Sequence, residues 1–228
     1  MLVERLADVR SRIAQAAARS GRPAEAVTLV GASKTVPATS LVEAIEAGLK
    51  DLGENRVQEA EMKMPEVLEA LPAQTTSPTW HLIGHLQSNK ARKAVALFDW
   101  IHSIDSPKLA DALDRIAGEF GKRPCVLIEV NTAGEASKEG VAPTDAPALI
   151  EHVASLARLD LRGLMTVGPP ENARPAYAAL RKLLEEAGTK GMDTLSMGMS
   201  GDFEVAIQEG ATMVRVGTAI FGSRHVED

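Results

Sequence analysis

Cys125-Val126-Leu127-Ile128-Glu129-Val130 carries five apolar residues in six, and Val27-Thr28-Leu29-Val30-Gly31 is built in much the same way. Such near-continuous apolar runs are the mark of parallel strands covered on both faces, because a half-exposed strand would alternate instead. Working outward from these two, strand-length runs recur at Val27–Lys34, Asp51–Glu54, Trp80–Gly84, Trp100–Ile104, Cys125–Val130, Leu159–Val167, Thr194–Met199 and Met213–Phe221. Helical periodicity follows at Ser40–Ala47, Val57–Leu71, Asn89–Phe98, Pro107–Phe120, Pro147–Leu156, Ala173–Ala187 and Asp202–Gln208. Eight strands, with a helix after each of the first seven, predict an α/β fold, a (β/α)8 barrel; an open doubly wound sheet is the competing arrangement. Ahead of the alternation, Leu2, Leu6, Val9, Ile13 and Ala17 form an apolar stripe, so residues 1–20 read as an extra N-terminal helix packed on the barrel. Gly21 suits a left-handed cap there, and Pro23 stops the helix. No repeat or linker divides the chain, and residues 1–228 read as one domain. Residues 131–147 read as a long loop after the fifth strand.

Composition narrows the function. Of 228 residues, 45% are hydrophobic and 25% charged, and 25 Lys+Arg against 31 Asp+Glu leave a net charge of −6. That balance argues against a nucleic-acid or anionic-membrane binder, while a local pocket for one small anion remains open. The one cysteine, Cys125, cannot form an internal disulfide and reads as a small buried hydrophobe. No apolar run of transmembrane length and no signal-like leader is seen, which predicts a cytoplasmic protein.

Functional groups of a parallel barrel gather at the C-terminal ends of its strands. Lys34 closes the first strand there, where desolvation frees an amine to attack a carbonyl; the alternative is a lysine reaching into water. Ser200-Gly201-Asp202 follows the seventh strand, with Ser200 or Asp202 able to cap the next helix, and Gly217-Thr218 ends the eighth. These are the two loops where barrels bind phosphate, though a capped helix and a plain turn remain the simpler reading of each alone. Arg215 shares a strand face with Gly217, so it points inward and needs a ligand or an ion pair, with Glu54 or Glu129 the candidate acids. His81 and His85 flank the third strand, Ser88 reads as an N-cap, and Met165, Met197 and Met199 read as packing residues.

Together, Gly-Ala-Ser-Lys-Thr at 31–35, Gly-Glu-Asn-Arg-Val-Gln-Glu at 53–59, Trp-His-Leu-Ile-Gly-His-Leu-Gln-Ser-Asn-Lys at 80–90, Met-Gly-Met-Ser-Gly-Asp at 197–202 and Val-Arg-Val-Gly-Thr-Ala-Ile-Phe-Gly at 214–222 resemble the pyridoxal phosphate homeostasis proteins. The resemblance spans nearly the whole chain and implies a barrel of the alanine racemase type. It implies pyridoxal 5'-phosphate as cofactor, a Schiff base on Lys34, and a phosphate cradle of Ser200, Gly201, Gly217 and Thr218. It further implies Arg215 facing the pyridine nitrogen, with Asn55 and Met165 lining the cofactor. Val167 is a local departure from the family pattern.

Arg215 bears on mechanism. A guanidinium stays protonated and only donates, so the ring nitrogen opposite it stays neutral and the ring is a weak electron sink. Racemization also needs a base on each ring face. In the racemases a tyrosine from a second domain serves one face, and that domain has no counterpart here; the one tyrosine, Tyr177, falls in a helical pattern. The expectation is a non-enzymatic protein, a monomer, that buffers pyridoxal phosphate or delivers it to apoenzymes. The alternative is a low-activity racemase with His81 or His85 as second base. Lys138, in the long loop, is the rival lysine.

Overall fold

The computed structural model describes residues 1–134, 139–169 and 171–222. Eight parallel strands close into a barrel in sequence order: β1 Thr28–Ala32, β2 Asp51–Glu54, β3 Thr79–Leu82, β4 Trp100–Ile104, β5 Cys125–Glu129, β6 Asp160–Met165, β7 Thr194–Ser196 and β8 Met213–Val216. The closing pair is β1–β8, with Val30 opposite Arg215, and it excludes the open sheet. The helices are α1 Leu2–Arg19, α2 Ala38–Glu46, α3 Val57–Ala70, α4 Ala91–Leu97, α5 Pro107–Phe120, α6 Ala146–Ser155, α7 Arg174–Ala187, α8 Phe203–Gln208 and α9 Thr218–Phe221. No helix among the described residues is long and apolar enough to cross a membrane.

Strand alternation sorts side chains between two compartments. Leu29, Leu52, Leu82, Ile101, Val126, Ile128, Val214 and Val216 face outward and pack in one continuous core with the helices. Val30, Ile83 and Met213 form a small apolar cluster inside the barrel, with Ala32 and Trp100 against it. The helix α1 buries Leu2, Leu6, Val9, Ile13, Ala16 and Ala17 against α8, α9 and α2. Each large apolar side chain so buried stabilises by about 1.5–3 kcal/mol. Gly21 does end this helix in the left-handed region, at φ +66°.

The departures from sequence expectation lie at the strand ends. The first strand stops at Ala32 rather than Lys34, because Val36 N–H returns to Ser33 C=O and Thr35 turns the chain at φ +63°. The sixth strand ends at Met165, short of Val167. The seventh ends at Ser196 rather than Met199, where Gly198 turns at φ +93°. The eighth does not run to Phe221: it ends at Val216, and the apolar Ala219-Ile220-Phe221 forms the short eighth helix of the alternation, α9. Ser88 begins a 3-10 turn and makes no capping bond. Val130 bridges to Val141 across the long loop. Cys125 is half-buried rather than buried; its Sγ lies 3.7 Å from Asp160 Oδ2, and burial followed by that carboxylate pushes the thiol up to about 11.

Candidate functional site

A cleft of about 880 Å³ opens at the C-terminal mouth of the barrel. Its walls bring together Lys34, Asn55, Ser200, Gly201, Arg215, Gly217 and Thr218, residues spread over more than 180 positions of sequence. Met165 is the expected member that is not among them. It is 1% exposed, opposite Glu129 in the β5–β6 register, and fills the barrel.

Lys34 is half-buried in the cleft wall, and its Nζ makes no hydrogen bond or ion pair with the described residues. Its two neighbours, by contrast, are held tightly. Ser33 Oγ donates to Glu54 Oε1 at 2.7 Å, and Lys63 Nζ donates to Ser33 C=O at 2.8 Å, to Glu54 Oε1 at 2.7 Å and to Glu59 Oε1 at 2.8 Å. Thr35 N–H donates to that same Glu59 oxygen at 2.6 Å. A non-glycine residue at positive φ is strained, and the Glu59 contact holds Thr35 there. Burial pushes the Glu54 carboxyl up against the pull of Lys63, and its Oε2 has no partner. Glu59 is also raised by burial, but Lys63, Thr35 N–H and the Lys34 charge outweigh that and leave it below the ordinary carboxylate value. The lysine amine is thus free while its backbone is clamped on both sides.

On the opposite wall, Gly217 and Ala219 N–H donate to Ser200 Oγ at 3.2 and 3.3 Å. Ser200 therefore ties the two loops together instead of capping α8. Asp202 occupies the start of α8, taking Met199 N–H at 2.6 Å on Oδ1 and Tyr177 O–H at 2.7 Å on Oδ2. A side chain at Gly201 would meet open space, and one at Gly217 would come within 3.1 Å of Ala32 C=O, so the two glycines keep this wall low. Tyr177, far from any strand end in sequence, is fully buried against this loop; burial and then Asp202 raise its phenol.

Arg215 lies at the floor, 4% exposed. Neither expected ion pair forms. Glu54 faces outward to Lys63, and Glu129 shares the barrel with Arg215 without a hydrogen bond to it. Arg215 Nη1 donates to Ser196 Oγ at 2.7 Å and Nη2 to Thr166 C=O at 2.9 Å. Glu129, its Oε2 unpartnered, is pushed up to about 7 by burial, which outweighs the opposing pull of Arg215.

The two histidines stand apart from the cleft wall. His81 is fully buried inside the barrel, and His85 Nδ1 lies 3.5 Å from both Asp105 and Glu139 on other loops. Lys138 lies outside the described residues. Sequence reading missed Glu59, Lys63, Ser196, His102 and Gly84, where a side chain would strike Asn55 C=O at 2.4 Å and push that residue from the wall. Lys63 was detectable, since a charge there interrupts the apolar stripe Val57, Ala60, Met64 and Val67.

The arrangement offers a free amine, a low wall of backbone N–H and hydroxyl donors, and a buried cation without an acidic contact. It suits a small, flat, anionic carbonyl compound. Comparison with known proteins agrees. The model of the alanine racemase N-terminal domain matches residues 5–225. The chain is 48% identical over 229 residues to a pyridoxal phosphate homeostasis protein of Pseudomonas aeruginosa, covering 98% of this chain and 96% of that one. PipY of Synechococcus elongatus, solved with PLP bound, superposes with a TM-score of 0.83 at 40% identity, over 97% of this chain and 100% of PipY. An alanine racemase of Clostridium difficile shares the fold at 17% identity, with a TM-score of 0.73 over 58% of its length.

Proposed function

This chain belongs to the pyridoxal phosphate homeostasis proteins, built on the alanine racemase N-terminal domain, and we propose that it binds pyridoxal 5'-phosphate in the mouth cleft as a carrier of the cofactor. The observation that carries this reading is the unpartnered Lys34 amine facing the cleft that Ser200, Gly201, Gly217 and Thr218 also line. When bound, the cofactor supplies an aldehyde for an amine and a ring that draws electrons. Lys34 Nζ is the amine that holds the aldehyde. Ser200, Gly201, Gly217 and Thr218 would hold the phosphate. Arg215 donates to the ring nitrogen and, being unable to accept, leaves it unprotonated. Asn55 flanks the ring, and Met165 supports it from inside the barrel.

The same geometry supports delivery rather than catalysis. Inversion at an α-carbon needs a second base on the far ring face, and His81 and His85 both stand away from the cleft wall. In this reading the protein is a cytoplasmic monomer that buffers the cofactor and yields it to apoenzymes.

The test is direct. Purified protein with pyridoxal phosphate should show a visible absorption band that borohydride removes, and peptide mapping should place the adduct on Lys34, with none in Lys34→Ala. An adduct on Lys138 instead overturns the assignment. Loaded protein should restore an apoenzyme, and incubation with L-alanine in deuterated water should give no inversion above the free-cofactor rate. Sustained inversion lost in His81→Ala or His85→Ala would promote the racemase.

A further inference from the structure

A line of hydrogen bonds crosses the barrel interior beneath the cleft, and beyond Arg215 none of its members is among the cofactor contacts above. From Arg215 Nη1 it passes to Ser196 Oγ at 2.7 Å, then to His102 Nδ1 at 3.0 Å. His102 Nε2 lies 3.0 Å from His81 Nδ1, and His81 Nε2 lies 3.1 Å from Asp51 Oδ1. Ser196, His81 and His102 are each fully buried, and His81 stacks on Trp100 with centroids 5.6 Å apart. Asp51 opens β2, so the line runs from the mouth toward the N-terminal end of the strands.

The ends of this line fix its direction. A guanidinium has donors only and an ionised carboxylate acceptors only. Arg215 gives its proton to Ser196 Oγ, which leaves the serine O–H to donate to His102 Nδ1. A neutral His102 accepting at Nδ1 carries its proton on Nε2 and gives it to His81 Nδ1. His81 in turn carries its proton on Nε2 and gives it to Asp51. The reverse assignment would set a ring lone pair against the Asp51 carboxylate. An imidazolium in either ring would add a second buried cation to the compartment that holds Arg215, which is costly. Burial first, with the Arg215 charge adding to it, holds His102 well below the usual histidine value.

We propose that Ser196, His102 and His81 are positioning residues for Arg215: a one-way hydrogen-bond chain, anchored on Asp51 at the far end of the barrel, that aims the guanidinium into the cleft. The inference rests on reading Arg215 as the partner of the ring nitrogen. The chain holds a deeply buried cation in place without a carboxylate in contact, and the line ends on an anion, Asp51, three hydrogen-bonding side chains away. An acid in direct contact would compete for the donors that must face the ligand. Neutral partners leave the remaining guanidinium N–H groups available.

The experiment uses ligand-free, full-length protein labelled with 15N-histidine. Long-range 1H–15N correlation spectra should show His81 and His102 both protonated on Nε2, with His102 staying neutral through the usual histidine range. Asp51→Asn, which removes the acceptor-only anchor, should give mixed tautomers. An Nδ1-protonated ring or an imidazolium in the wild type overturns the chain. In Ser196→Ala, affinity for pyridoxal phosphate should fall about tenfold and its bound absorption band should shift, with inorganic phosphate affinity unchanged and Ser196→Thr restoring the band. An unaltered band and affinity overturn the positioning role. Should wild-type protein bind no pyridoxal phosphate, the functional reading fails, while the histidine spectra still decide the direction of the chain.

Discussion

Two buried polar networks flank the cleft, and they solve opposite problems. Behind Lys34, opposite charges touch: Lys63 is wedged between Glu54 and Glu59, and every bond it makes serves the backbone on either side of a side chain left free. Beneath Arg215, a cation is held by neutral groups, and the nearest hydrogen-bonded anion is Asp51, beyond two histidines. Contact pairing gives rigidity and masks charge. Distant pairing gives orientation and leaves charge expressed toward the cleft. The residue that needs a fixed backbone has the first, and the residue whose cation is put to use has the second.

Breaking the contact network should have the largest effect. Lys63→Met strands Glu54 as an unpaired buried carboxylate, and removing one partner of a buried pair costs about 3–5 kcal/mol. Denaturant unfolding should show that loss, and Glu54→Gln in the same chain should recover part of it. Equal stability of wild type and Lys63→Met would mean that the cluster does not hold the loop.

The second network is sharpened by pH. Glu129 sits near Arg215 without a hydrogen bond and titrates at about 7 in the folded chain, against about 4.5 as its ordinary value. Its folded value is raised, so the native state binds the extra proton in that window. Stability from this group is full below about pH 4.5 and falls as pH rises to about 7. The drop is at most about 3.4 kcal/mol at about 1.36 kcal/mol per unit. Glu129→Gln should flatten that slope and leave the protein more stable than wild type at pH 8. A slope unchanged by the substitution would show that the carboxyl ionises normally.

A smaller change touches neither network and isolates the phosphate wall. Ser200→Ala removes one hydrogen-bonding group to a charged ligand, about 1.5–3 kcal/mol, so affinity for pyridoxal phosphate should fall roughly ten- to a hundredfold. Isothermal titration with unphosphorylated pyridoxal should show almost no change. An equal loss for both ligands would mean that Ser200 acts by tying its loop to Gly217 and Ala219.

Much of this was legible in the sequence because the barrel's logic is local. Near-continuous apolar strands and alternating helices give closure, and period two along β8 points Arg215 inward while Val214 and Val216 face the helices. What escaped depends on contacts between distant segments. Ala219-Ile220-Phe221 has strand-like character but is folded into α9, with Ser200, seventeen residues before Gly217, bonded at its start. Arg215 pointed to a ligand or an ion pair because a buried cation ordinarily has one, and no local pattern reveals that Ser196 and two histidines on other strands hold it from behind. Tyr177 read as a mere helix residue, whereas its hydroxyl reaches the Ser200 loop of the cleft through Asp202.

The packing of α1 on α8 and α9 has a consequence for synthesis. Arg5 Nε donates to Ile220 C=O at 2.7 Å and Arg12 bonds Glu204, so α1 docks on segments synthesised about 200 residues after it. At about 5–20 residues per second, α1 waits roughly 10–40 s for its seat. Meanwhile β1 lacks β8, and Lys34 emerges long before the opposite wall exists. A nascent chain stalled before residue 213 should therefore trap no cofactor with borohydride.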